Sequence, residues 1–268
     1  MKTKENLVYD AIVVGSGVSG GWAAKELCQK GLKTIVLERG RPVEHIKDYP
    51  TTLAKPWELP HHGHATLAEI ETKPIQNRTG FVVNEEHGHF FVNDLEHPYI
   101  EEKRFDWIRG WQVGGKSLTW GRVTLRWSDL DFEANSKEGI AIDWPIRYKD
   151  IAPWYDYVEK FVGISGNKDN IATLPDGVFQ PPMPMNCVEQ HLSDSVKAKF
   201  KGRHVIHSRQ AHLTAPTPEQ LALGRGSCQY RNLCMRGCPF GAYFSSQSAT
   251  LPAAQKTGNL TIDRKSVV

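Results

Sequence analysis

The residues best suited to chemistry sit in two places. Near the start, Gly15, Gly17 and Gly20 are spaced GxGxxG within VVGSGVSGGW. Near the end, Cys228, Cys234 and Cys238, three of the chain's five cysteines, fall within SCQYRNLCMRGCPFG. Glycines at that spacing let a backbone close on a pyrophosphate. The first permits a tight turn, the second a close approach, the third tight packing of the following helix on a sheet. Clustered thiols suit a soft metal centre, zinc or iron–sulfur, or a redox role. Their spacing, C-x5-C-x3-C-P, is looser than that of ferredoxin-type runs. Three ligands suit a [3Fe–4S] centre, whereas a tetrahedral zinc requires a fourth, for which His212 and Cys187 are candidates. Arg231 and Arg236 would offset thiolate charge, and Pro239 follows the last cysteine directly. Structural thiols, and a disulfide pair with one thiol left over, remain open alternatives.

The glycine fingerprint needs elements around it, and the sequence supplies them. Ala11–Val14 is a short apolar β-branched run of the kind that forms a buried parallel strand. A helix follows, with Ala24, Leu27 and Cys28 on its apolar face and Cys28 read as a core residue. Gly31 is placed to end that helix in the left-handed conformation. A second strand, Thr34–Leu37, ends at Glu38. A carboxylate there accepts hydrogen bonds from ribose hydroxyls and repels a 2′-phosphate, which disfavours NADP. Strand, helix, strand and acid in that order make the fingerprint specific for a dinucleotide, without separating FAD from NAD. A second glycine stretch, RGWQVGGKSLTWG at 109–121, pairs Gly114 and Gly115 with Ser117 and Thr119. It suits backbone pressed against a flat or anionic group, or a tight turn between strands. Further on, a helix is expected from about Tyr148 to Val162, with Pro153 near its start and its aromatics packed in the core.

Together, the two glycine stretches resemble the glucose–methanol–choline (GMC) family of FAD-dependent oxidoreductases. The resemblance implies that Gly15, Gly17 and Gly20 bind the FAD pyrophosphate and Glu38 the adenosine ribose. It implies that Gly114, Gly115, Ser117 and Thr119 lie along the flavin. Trp120 stands where many alcohol-oxidising members carry Asn, a variant that resembles the branch of bacterial sugar and gluconate dehydrogenases. The stretch DWPIRYKDIAPWYDYVEKFVGISG (143–166) is similar to the family segment after the flavin loop. NLTIDRKSVV (259–268) looks like the strand returning to the FAD domain, with Val268 at the position whose backbone meets adenine. The cysteine loop resembles that of branch members with a cysteine-ligated cluster, which implies Cys228, Cys234 and Cys238 as ligands of an electron-transfer [3Fe–4S] centre. The family's catalytic base is a histidine in its C-terminal half. None of the eleven histidines here matches it, so no catalytic residue is assigned and the chain reads as an N-terminal half.

Composition bounds the rest. A net charge of +3 with no basic run standing out argues against nucleic acid. No apolar stretch approaches a membrane span. MKTKENLVYD has no apolar h-region behind it, so the expected compartment is cytoplasmic, with co-export to the periplasm on a signal-bearing partner as the alternative. His61, His62 and His64 read as a solvated loop rather than a zinc site. The expected fold is α/β: a Rossmann-like FAD-binding domain with a parallel sheet, plus the beginning of a substrate or cap domain, in a truncated chain. Its parts are a βαβ unit at 1–40, an insertion at 41–105 and the flavin-loop and helical part at 106–166. The cap region with the cysteine loop follows at 167–250, and the return to the FAD domain at 251–268. The expected function is oxidation of a CH–OH group on a sugar, sugar acid or other alcohol. Hydride would pass to the flavin, and electrons through the cluster to a partner cytochrome or small subunit. A non-catalytic FAD- or NAD-binding fragment, or a split subunit, is the rival; an NAD-dependent enzyme has no obvious use for Gly114–Trp120.

Overall fold

The computed structural model describes residues 8–80, 84–264 and 266. Its strands are β1 (Ala11–Val14), β2 (Thr34–Glu38) and β3 (Leu260–Arg264). Its α-helices are α1 (Val18–Gln29), α2 (Leu67–Glu71), α3 (Pro74–Arg78), α4 (Asp129–Glu138), α5 (Tyr148–Val162), α6 (Cys187–Lys199), α7 (Pro218–Ala222) and α8 (Thr250–Gln255). The chain divides into two compact units. One comprises Met1–Trp120, Tyr230–Gly241 and Ser245–Val268; the other comprises Gly121–Gln229 and Ala242–Phe244. The division at Gly121 falls inside the 106–166 stretch.

In the first unit the three strands form a parallel sheet in the order β1-β2-β3, with Ala11 beside Thr34 and Thr34 beside Leu260. Val13, Val36 and Ala24 pack together between the sheet and α1, with Leu27, Leu260 and Ile262 around them. Gly31, at φ +87°, closes α1 as expected. Gly31 N donates to Cys28 O and Leu32 N to Leu27 O, the paired bonds of a Schellman end. The buried character expected of β1 is corrected: only Val13 is buried, while Ile12 is 67% and Val14 66% exposed. The cause is position. Among the described residues β1 lies at one end of the three-stranded sheet, and α1 packs on the face that carries Val13. A second cluster, Val43, Tyr49, Phe90 and Leu118, gathers the 41–105 segment around the base of the second glycine stretch.

In the second unit α5 spans Tyr148–Val162, as its periodicity predicts. Core packing of its aromatics is corrected, since Trp154 is 67% and Tyr157 40% exposed while the buried positions are Glu159 and Val162. The reason is an ion pair. Arg126 Nε donates to Glu159 Oε1 at 2.8 Å and Nη2 to Oε2 at 2.6 Å, Tyr148 OH accepts from Nη1, and Val178 N donates to Glu159. A fork-to-fork pair with its remaining atoms bonded is the arrangement in which a carboxylate tolerates burial.

Candidate cofactor-binding site

The β1–α1 turn has the geometry of an anion cradle. Gly15 sits at φ +83°, a conformation that favours glycine. A Cβ on Gly20 would lie 1.9 Å from Gly15 O, so the third glycine is what lets α1 start this close to the turn. At Gly15 and Gly17, by contrast, an added Cβ meets nothing within 4 Å. Gly17 is the N-cap of α1, has no side chain to cap it, and no acid occupies the first turn. No side chain caps the first amides of α1, and the positive end of the helix dipole lies behind them, the chemistry a pyrophosphate requires.

The second glycine stretch is bound to this turn. Arg41 N donates to Trp111 O and Val113 N to Arg41 O, so 109–113 runs beside the chain leaving β2. Gly40 permits it, because a Cβ there would lie 2.2 Å from Gln112 N. Gly114 and Gly115 both have positive φ, at +91° and +51°, and a Cβ on Gly115 would come 3.3 Å from Gly17 Cα. The structure thus brings Gly15, Gly17, Gly20, Gly114 and Gly115 together.

Glu38 is buried and faces inward. Its Oε2 accepts from Ser16 N at 2.9 Å and from Ser16 Oγ, and its Oε1 accepts from Gly40 N at 2.7 Å. Ser16 Oγ in turn accepts from Gly114 N at 2.9 Å. One serine thus links the first glycine turn, the acid of β2 and the second glycine loop. Ser117 is fully buried; its hydroxyl donates to Gly114 O and accepts from Ser246 N at 2.9 Å. Ser246 Oγ donates to Gly17 O at 2.9 Å, which makes the run before α8 the floor of the cradle. Thr119 is buried and Trp120 half-buried at the end of the loop. Sequence reasoning passed over Ser16, Gly40 and Ser246. The small-hydroxyl run SSQSAT at 245–250 signals Ser246 alone.

Two cavities flank the end of β2. One, of about 740 Å³, is lined by Val43, His45, Val113, Gln247, Ile262 and Arg264. The other, of about 530 Å³, is lined by Arg39, Gly40, Arg41, His89, His97 and Trp111. Arg39 lies over the Trp111 ring, 3.5 Å from its centroid. Burial, and then the Arg41 charge, push His89 down to about 4, so it is neutral at pH 7.

The cysteines are placed less tightly. Cys228 belongs to the second unit, Cys234 and Cys238 to the first. All three are half-buried, and among the described residues, which include all five cysteines, there is no disulfide. Nor do the described residues include a group of three or more His, Cys, Asp or Glu placed to hold a metal. The 230–241 loop is braced instead on the 49–54 segment. Arg231 Nη1 donates to Thr52 O, and Arg236, expected to offset thiolate charge, pairs with Glu86 at 2.6 Å. The Tyr49 ring lies against Gly237, and burial, then the Cys238 thiol, raise its phenol pKa.

No family model matches the chain. The fructose dehydrogenase large subunit of Gluconobacter japonicus is 24% identical over 261 residues, covering 94% of this chain and 44% of that protein. The gluconate 2-dehydrogenase flavoprotein of Pantoea cypripedii is 29% identical over 250 residues, covering 84% and 38%. A 2-methyl-1,2-propanediol dehydrogenase of Mycolicibacterium austroafricanum is 29% identical over 164 residues, covering 59% and 25%. The chain is a relative of the GMC oxidoreductases. It spans about two-fifths of the length of the first two GMC relatives. Of the positions that the GMC resemblance assigns to FAD, Gly15 through Trp120 lie in one unit. Val268 lies outside the described residues.

Proposed function

We propose that the protein is an FAD-dependent oxidoreductase acting on a CH–OH group of a sugar, sugar acid or related alcohol. The observation that carries this is the open turn at Gly15 and Gly17 over an uncapped helix start, tied through Ser16 to a second glycine loop. When bound, FAD supplies an acceptor that takes a hydride from the carbinol carbon and can release electrons singly. The chain's own residues do the holding. The α1 amides face the pyrophosphate. Glu38, with three donors already on its carboxylate, keeps acceptor capacity for a ribose hydroxyl. The loop from Gly114 to Trp120 presents backbone to the flavin ring. The names of the relatives, fructose and gluconate 2-dehydrogenase, support a sugar or sugar-acid substrate, and "large subunit" supports a partner subunit that takes the electrons. The test is to purify the full-length protein, reconstitute it with FAD and record its absorbance under anaerobic conditions with sugars, sugar acids and polyols. Flavin bleaching by one class is the expected result. Failure to retain flavin overturns the reading, and bound flavin that no alcohol bleaches leaves a binding module.

A [3Fe–4S] cluster on Cys228, Cys234 and Cys238 is proposed separately, on the donor chemistry of three half-buried thiols alone. Among the described residues no group of three or more His, Cys, Asp or Glu is placed to hold a metal. Iron and sulfide analysis with electron paramagnetic resonance on the same preparation decides it. Absence of both elements removes the cluster and leaves the flavin reading intact.

A further inference from the structure

Helix α6 is well begun and poorly buried. Asn186 caps it, accepting from Val188 N at 2.9 Å and Glu189 N at 3.0 Å, yet none of its thirteen residues is buried. Helices in globular units are held mainly by packing an apolar stripe, and this one leaves Val188 72% and Leu192 52% exposed, with Phe200, just past its end, 50% exposed. Its last turns and the chain that folds back along them enclose a cavity of about 700 Å³, and Ser193 Oγ donates to Val205 O across the fold. Lys197, Lys199, Lys201 and Arg203 line that cavity with Phe200. Lys197 and Lys199 suit the negative end of the helix dipole, Arg203 lies over the Phe200 ring, 5.5 Å from its centroid, and Lys201 is left unexplained. Among the described residues no side chain of the four makes a hydrogen bond or an ion pair. The acid on the cavity wall, Asp169, faces Arg209 at 3.5 Å. Between Asp194 and Glu219 the sequence has no acid at all.

We propose that α6 and its basic return form a docking site for an anionic phospholipid surface. The four cations take headgroup phosphates, while Val188, Leu192 and Phe200 enter the acyl boundary. A soluble phosphate uses the cations but has no use for an exposed apolar stripe on the same element. A membrane interface uses both, and an amphipathic helix with basic residues at one end is the form such contacts take. Among the described residues no helix is long and apolar enough to cross a bilayer.

The test is flotation of the full-length protein with vesicles of phosphatidylcholine alone or mixed with phosphatidylglycerol, at two salt concentrations. Binding to the mixed vesicles alone, weakened by salt, is expected. Neutralisation in K197Q/K199Q/K201Q/R203Q lowers the partition coefficient on the order of a thousandfold, and L192S/F200S lowers it as well. Circular dichroism verifies that the variants are folded, and the salt dependence of the unaltered protein needs no variant. Equal binding to both vesicles, no binding, or binding unchanged in the quadruple variant overturns the proposal. So does thermal stabilisation by inorganic phosphate that is lost in the quadruple variant and comes without flotation, which assigns the cleft to a soluble phosphate.

Discussion

Ser16 joins three segments that lie far apart in the chain, since its hydroxyl bonds Glu38 and the Gly114 amide 98 residues away. S16A removes a bond to a carboxylate, worth about 1.5–3 kcal/mol. It should leave the protein folded and weaken FAD binding about tenfold in a titration of the apoprotein. The glycines divide by what surrounds them. G20A drives a Cβ into Gly15 O and should cost about 3 kcal/mol or more, read as a fall in Tm. G17A meets nothing within 4 Å, so Tm without cofactor should hold while flavin binding is lost. Loss of apoprotein stability in G17A would show that the space is not reserved for a ligand. His89 carries a pH dependence. Its ordinary value of 6.5 falls to about 4 on burial, so between pH 6.5 and 4 the unfolded chain binds the extra proton. Stability therefore falls as pH drops through that window, and H89Q should flatten the profile of Tm against pH. Gly15 and Gly20 answer local demands of φ and close approach, and the GxGxxG spacing made them and Gly17 legible in the sequence. Ser16 and Ser246 were not, because their roles come from partners that the fold supplies.

The βαβ unit was legible to within a residue at the level of elements, since strand, helix and Schellman end are written in local patterning. What patterning leaves out is which faces are covered. Ala11–Val14 reads the same whether Ile12 and Val14 meet a second layer or stand open, as they do. Helix α5 makes the same point. Its bounds follow from periodicity, but its buried residue is Glu159, whose partner Arg126 lies 33 residues upstream. R126A strands that carboxylate in the interior and should cost about 3–5 kcal/mol in urea denaturation. R126M/E159M should recover much of the loss, because no buried charge is then left unpaired; Asp156, the other partner of Arg126, is 46% exposed and keeps its hydration. The basic return after α6 was passed over in the sequence because its cations alternate with Ala198, Phe200 and Gly202 instead of forming a block.

For the molecule as a whole, the two units should respond differently to cofactor. FAD that binds only the folded cradle stabilises it by about 2.7 kcal/mol at a hundred times Kd. Stripping the flavin should therefore lower the melting transition of the first unit, and G17A should abolish the response, both readable by calorimetry. The cradle also has a timetable. Its floor is Ser246, whose hydroxyl holds Gly17 O across 229 residues of chain. Sequence separation of that size is costly to close and cannot close before both ends exist. On a ribosome the first glycine turn is therefore made early and stays open for nearly the whole of synthesis up to α8. A nascent chain stalled before Ser246 has a phosphate turn without its floor, and cofactor capture becomes one of the last events of translation through this region.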